Sequence, residues 1–210
     1  MSILNEINEN LQKGRAKAVC TLVENALAEK LDPKDIMQSL LDGMNTVGEK
    51  FKRDEVFVPD VMIAARAMNN GLAKLKPYLA DAGVTTVGKA CIGTVKGDLH
   101  DIGKNLVKMM LEGKGFEVVD LGVDVAPETF VKTAIEQNCD IICCSALLTT
   151  TMTAMADVVK AAADAGIRDK VKIMVGGAPV DQRFCDHIGA DSYTRDAASA
   201  ADAAAAFMAK

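Results

Sequence analysis

The sequence predicts a four-helix bundle followed by an α/β domain built on a five-stranded parallel sheet, and three observations carry this. Apolar residues recur at helical spacing from Ser2 to about Asp81. Past Ala82 and Gly83 that period gives way to short β-branched or apolar runs, and those runs alternate with amphipathic segments. The 210 residues suit two compact domains of roughly 100 residues each, divided as 1–84 and 85–210.

In the first part, Gly14, Pro33, Pro59 and Pro77 punctuate the helical pattern and separate four apolar stripes. The first holds Ile3, Ile7 and Leu11. The second holds Val19, Leu22, Val23, Ala26 and Leu27; the third Ile36, Leu40, Met44, Val47 and Phe51; the fourth Val61, Ala65, Met68, Leu72 and Leu75. Each stripe must be buried against the others, which a small bundle achieves. Asp32 before Pro33 reads as an N-cap with a first-turn proline and fixes the start of the third helix.

In the second part the predicted strands are Lys89 to Val95, Glu117 to Leu121, Ile141 to Ser145, Lys172 to Val175, and a weak last one near Asp191 to Tyr193. Repeated β-α units with near-continuous apolar strands call for a parallel sheet covered on both faces by right-handed crossovers. Ligands of such sheets bind beyond the carboxyl ends of the strands, which directs attention to the loops after Val95, Leu121, Ser145 and Val175. The alanine-rich tail from Ala197 is expected to close the domain as a helix.

Composition excludes several classes. No apolar run approaches the roughly 18 residues of a membrane span, and the N-terminus MSILNEINENL lacks a basic start and an apolar middle, so a cytoplasmic protein is expected. Six cysteines form no C-x-x-C pair and sit mostly in apolar runs, which favours buried reduced thiols. A net charge of −5 and the absence of Trp leave no basic stripe and few stacking platforms for nucleic acid.

The first of these loops reads TVKGDLHDIGKNLV. It matches neither G-x-G-x-x-G nor the P-loop, and Asp98 and Asp101 would repel a phosphate lodged at the helix start. It can instead present the His100 imidazole above the sheet with the Asp98 carboxylate two residues earlier. A carboxylate bonded to one ring nitrogen fixes the tautomer and makes the other a better donor to a metal. At the ends of successive strands, Gly93, Ser145, Gly176 and Gly177 carry little side chain and leave room for a heterocycle.

Asp98-x-His100-x-x-Gly103 resembles the cobalamin-binding signature shared by B12-dependent methyltransferases and mutases. The resemblance implies that His100 displaces the cofactor's own benzimidazole and ligates cobalt, with Asp101 and Ile102 beside it in the same turn. It also implies that Ser145-Ala146-Leu147 and Gly176-Gly177 surround the displaced nucleotide tail. In methionine synthase a serine bonds the Asp; by spacing the matching residue here is Thr151, with Thr149 and Thr150 alongside. The helical part resembles the cap over the reactive face of cobalt in methionine synthase and methyltransferase corrinoid proteins, with Phe51, Val58, Pro59 and Val61 matching its pattern. Phe51 and Val58 can equally be read as bundle core, and the two roles need not exclude each other.

The resemblance therefore implies a flavodoxin-like (Rossmann-type) sheet domain holding cobalamin or a related corrinoid, base-off and His-on, and methylcobalamin as its loaded form. It implies a methyl carrier, inactive alone, of the kind that serves methanol, methylamine, betaine or methoxyaromatic metabolism. Its partners would be a substrate-specific methyltransferase, a second methyltransferase acting on a thiol cofactor or tetrahydrofolate, and a reductive activation protein. The cap would swing away for those partners on a hinge at Gly83 to Gly88. Two other families use the same His motif. An adenosylcobalamin mutase subunit lacks a four-helix cap, and a cobalamin-dependent regulator would add a DNA-binding helix-turn-helix and a basic face.

Overall fold

A computed structural model describes residues 2–81 and 86–209. The chain divides into two compact units, a helical one up to Thr86 and an α/β one from Val87. The expected division between residues 84 and 85, and residues 83–85 of the expected hinge at 83–88, lie outside the described residues.

The helical unit contains α1 (Ile3–Gln12), α2 (Ala16–Ala28), α3 (Pro33–Lys52) and α4 (Val58–Asp81), with α1 packed on α3 and α2 on α4. The predicted stripes are the buried ones: Ile7 and Leu11, Val19 and Val23, Ile36 and Leu40, Val61 and Met68. The Asp32 carboxylate accepts the Lys34 amide at 2.9 Å and starts α3 with Pro33 in its first turn. Pro77 does not end the fourth helix, which runs through it to Asp81. A proline deprives the carbonyl four residues back of its donor; here that residue, Ala73, is exposed and its carbonyl can turn to water.

The α/β unit runs β1 (Lys89–Val95), α5 (Ile102–Gly113), β2 (Glu117–Val125), α6 (Pro127–Glu136), β3 (Ile141–Ser145), α7 (Ala154–Asp164), β4 (Lys172–Gly176), α8 (Gln182–Ile188), β5 (Ser192–Tyr193) and α9 (Ala197–Met208). All pairings are parallel, in the order β2-β1-β3-β4-β5. This is the flavodoxin-like order, whose direction reverses between β1 and β3. The loops leaving those two strands depart on opposite faces and open a crevice at their carboxyl ends. Among the described residues no helix is long and apolar enough to cross a membrane.

One face of the sheet carries Cys91, Val95, Ile142, Cys144, Ile173 and Val175 against Phe130, Met155 and Val158 of α6 and α7. Gly93 belongs to this face, where an added Cβ would stand 2.9 Å from the Phe130 ring and 3.2 Å from the Leu121 Cβ. Gly93→Ala is expected to destabilise the fold by about 1–3 kcal/mol through overpacking, read as a lower urea midpoint. Combining it with Phe130→Leu, which vacates that space, is expected to cost less than the sum of the two single changes.

β2 runs four residues beyond the predicted end at Leu121. Its register against β1 shifts between Ile92 and Gly93 and again between Gly93 and Val95. The extension contains Gly122 and Asp124, both with positive φ, so its alternation is broken where a strand would otherwise be legible.

Candidate functional site

The loop from Lys96 to Asp101 crosses the crevice between β1 and α5. Its carboxylate, Asp98, is buried. One oxygen, Oδ1, accepts the His100 amide at 3.1 Å and the His100 Nδ1–H at 2.7 Å. The other, Oδ2, accepts the Thr151 hydroxyl at 2.6 Å and the amides of Leu147 at 2.8 Å and Leu148 at 3.4 Å. Burial alone pushes the Asp98 carboxyl up. The hydrogen bonds from Thr151, Leu147 and His100 outweigh it and hold the group well below the usual carboxylate range.

An ionised carboxylate only accepts, so Nδ1 carries the proton, and in the neutral ring Nε2 keeps a lone pair to donate. The imidazole side chain is 51% exposed while the Asp98 side chain is wholly buried. A second anchor holds the loop from beneath: the fully buried Thr94 hydroxyl donates to the His100 carbonyl at 2.8 Å. A third comes from β2, where Asp124 accepts the Gly97 amide at 2.7 Å and donates its own amide to the Asp98 carbonyl at 2.9 Å.

Around the ring the surface is apolar and open. Leu99 is 70% and Ile102 75% exposed, Leu147 and Leu148 are also exposed, and no atom lies near the position of a Cβ on Gly103. Across the sheet Thr94, Ser145 and Gly176 stand in one register row, a line of small side chains at the strand ends. Gly177 is held at φ 130° with its Cα pressed on the turn after β3, and an added Cβ would collide with the Ala146 carbonyl. Glycine is the one residue that fits there.

The structure thus gathers Asp98, His100, Thr151 and Leu147 at one point, with Ile102 and Gly103 beside them. The Asp101 carboxylate turns instead to the side chain of Asn105, at 3.1 Å. Thr149 and Thr150 precede the hydroxyl that reaches Asp98. Gly93 lies on the opposite face of β1 from the row through Ser145 and Gly176, its bare side filled by Phe130. In the helical unit Phe51 and Val58 are half-buried and Val61 is buried. The supports that the sequence reading did not single out are Thr94, the Leu148 amide and Asp124. A buried threonine one residue before the end of β1 is a weak signal, and backbone amides and a bulge leave none.

Among the described residues no three His, Cys, Asp or Glu side chains converge on a common metal position. A single imidazole with a free nitrogen, set in an open apolar rim, suits a metal whose other ligands arrive with a large flat cofactor. The residues present therefore fit a corrinoid.

Comparison with known proteins supplies the family. The B12 binding domain family matches residues 88–205, and a second B12 binding domain family matches residues 3–76. A corrinoid protein from Desulfitobacterium hafniense is 41% identical, with 100% of this chain and 99% of that protein covered. A dimethylamine corrinoid protein from Methanosarcina barkeri is 44% identical, over 94% of this chain and 93% of its own length. Among solved structures, the methanol:cobalamin methyltransferase complex of Methanosarcina barkeri contains a chain that superposes with a TM-score of 0.88 at 31% identity. The alignment covers 99% of this chain and 80% of that one. A cobalamin-binding protein from Desulfitobacterium hafniense superposes with a TM-score of 0.80 at 32% identity, covering 96% of both chains.

Proposed function

The chain belongs to the B12-binding corrinoid proteins, and from that premise we propose that it carries a methyl group on cobalt between two partner methyltransferases, with His100 as the protein's axial ligand. The observation that carries this reading is the His100 ring itself: half-exposed, its Nδ1 bound to a buried carboxylate and its Nε2 free. The names of its relatives support a donor of the methanol or methylamine class. The acceptor enzyme would serve a thiol cofactor or tetrahydrofolate, and a reductive activation protein would restore the carrier after accidental oxidation. The cysteines are free, five of them buried, as befits a protein working in the reducing cytoplasm.

When bound, the corrinoid supplies a cobalt nucleophile that accepts and later surrenders the methyl group. The chain's residues do the rest. Asp98 Oδ1 holds the proton on Nδ1 and makes Nε2 a stronger donor, and Thr151 holds the carboxylate in place. The exposed Leu99, Ile102 and Leu147 would supply apolar contact to a bound corrinoid and exclude water there. Ser145, Gly176 and Gly177 leave space for the displaced base and its tail.

The test is reconstitution with hydroxocobalamin, chemical reduction, and addition of candidate methyltransferases with methanol, methylamines, betaine or a methoxyaromatic. Methyl transfer to the protein is followed by absorbance. The expected result is rapid methylation by one donor and enzyme pair and none without enzyme. Methylation by no pair, with retention of adenosylcobalamin and radical rearrangement by a partner, would replace this reading with that of a mutase subunit.

A further inference from the structure

The two register shifts of β2 converge on the metal-ligand loop. Between the pairs Gly93 with Gly122 and Val95 with Val125, two residues, Val123 and Asp124, oppose the single Thr94. Such a bulge re-aims a side chain, and Asp124 adopts φ 54° to complete it. A non-glycine residue in the left-handed region inside a strand is uncommon and is retained where something depends on it.

What depends on it is the Gly97–Asp98 segment. The Asp124 carboxylate takes the Gly97 amide at 2.7 Å and the Asp124 amide is given to the Asp98 carbonyl at 2.9 Å, so one residue grips the segment by both a donor and an acceptor. The bulge is braced in turn. Asp120 Oδ1 accepts the Gly122 amide at 3.0 Å and the buried Lys104 ammonium at 2.6 Å, and Lys104 belongs to α5, the helix into which the ligand loop leads. The loop is thereby fixed between a strand edge and a helix joined by the ion pairs of Asp120 with Lys104 and Lys108.

We infer that Asp124 is a positioning residue for the metal ligand: by clamping Gly97 and Asp98 it sets where the loop holds His100, and so how firmly the imidazole coordinates cobalt. This rests on His100 being that ligand. Asp124 bonds the backbone of Gly97 and Asp98 and acts through the loop.

Two variants separate positioning from mere support. Asp124→Gly keeps the left-handed backbone and the amide to Asp98 and removes only the carboxylate on Gly97. Asp124→Asn keeps an acceptor oxygen and tolerates the same φ. Each is made with nitrogen-15 histidine, reconstituted with hydroxocobalamin and reduced to cobalt(II), whose paramagnetic resonance lines become doublets when the labelled imidazole is axial. The ratio of coordinated to free imidazole is expected to fall roughly tenfold in Asp124→Gly and to recover in Asp124→Asn. Exchange of the Gly97 amide, measured without corrinoid, is expected to accelerate in parallel, while the urea midpoint of the glycine variant stays level or rises. Asp124→Gly with unchanged splitting and unchanged Gly97 exchange would overturn the inference, as would equal losses in both variants with lowered urea midpoints. His100→Ala serves as the separate control: doublets that persist there refute the ligand reading itself, whatever the Asp124 variants show.

Discussion

His100→Ala is expected to leave a folded protein that no longer presents a nitrogen to cobalt. The ring is half-exposed, and the Asp98 carboxylate keeps the Thr151 hydroxyl and the amides of Leu147, Leu148 and residue 100. One lost charge-assisted hydrogen bond therefore costs the fold only about 1–2 kcal/mol. The functional loss is much larger. Changing groups that merely support a metal-bound histidine costs on the order of 10–100-fold in affinity, so removing the ligand is expected to reach at least the upper figure. Gel filtration of the reconstituted variant, with corrinoid read by absorbance, checks this. Retention and spectrum equal to those of the unaltered protein would show that cobalt is held by something else.

Asp98→Ala is expected to have the opposite signature, damaging the fold before the cofactor enters. The carboxylate is the common acceptor for a hydroxyl, three amides and a ring N–H in a buried crevice. Deleting it leaves several of those donors unpaired, at a cost of about 3–5 kcal/mol. Urea unfolding of the corrinoid-free protein at neutral pH measures it, and a change below 1 kcal/mol would mean that water replaces the carboxylate without loss.

The pH dependence follows from the same contacts. Although burial opposes ionisation, the hydrogen bonds win and the folded-state pKa of Asp98 lies below its unfolded value. The group's contribution is then fully present above the ordinary carboxylate value of about 4 and is lost as pH falls through the depressed folded value. The stability gap between the unaltered protein and Asp98→Ala is expected to stay level from neutral pH down to about pH 4 and to narrow only below it.

Most of the fold is legible in the sequence, because parallel strands buried on both faces read as apolar runs and bundle helices as stripes. Ile141 to Ser145 begins and ends where its run does. β2 is the exception: Gly122 and Asp124 are turn-forming residue types, so local propensity ends the strand at Leu121, while pairing with β1 carries it to Val125. Pro77 fails as a stop signal for a related reason, since a proline in an exposed last turn sacrifices a hydrogen bond that water can replace.

At the site, the residues that form one motif are readable and those joined only by the fold are not. Asp98 and His100 lie two residues apart, and spacing alone permits their contact. Three threonines in a row offer a hydroxyl after β3, and the turn geometry selects Thr151. The grip of Asp124 on Gly97 arises from a bulge whose side-chain direction no periodicity encodes.

The Asp98 carboxylate meets its partners after β3 at separations of 49 to 53 residues along the chain. A ribosome that has just released His100 has therefore made the imidazole but not the groups that hold its carboxylate partner. The crevice is complete only when the segment through Thr151 has emerged and β3 has paired with β1. A chain ending after α5 would carry the histidine without the Leu147 and Thr151 contacts that hold Asp98.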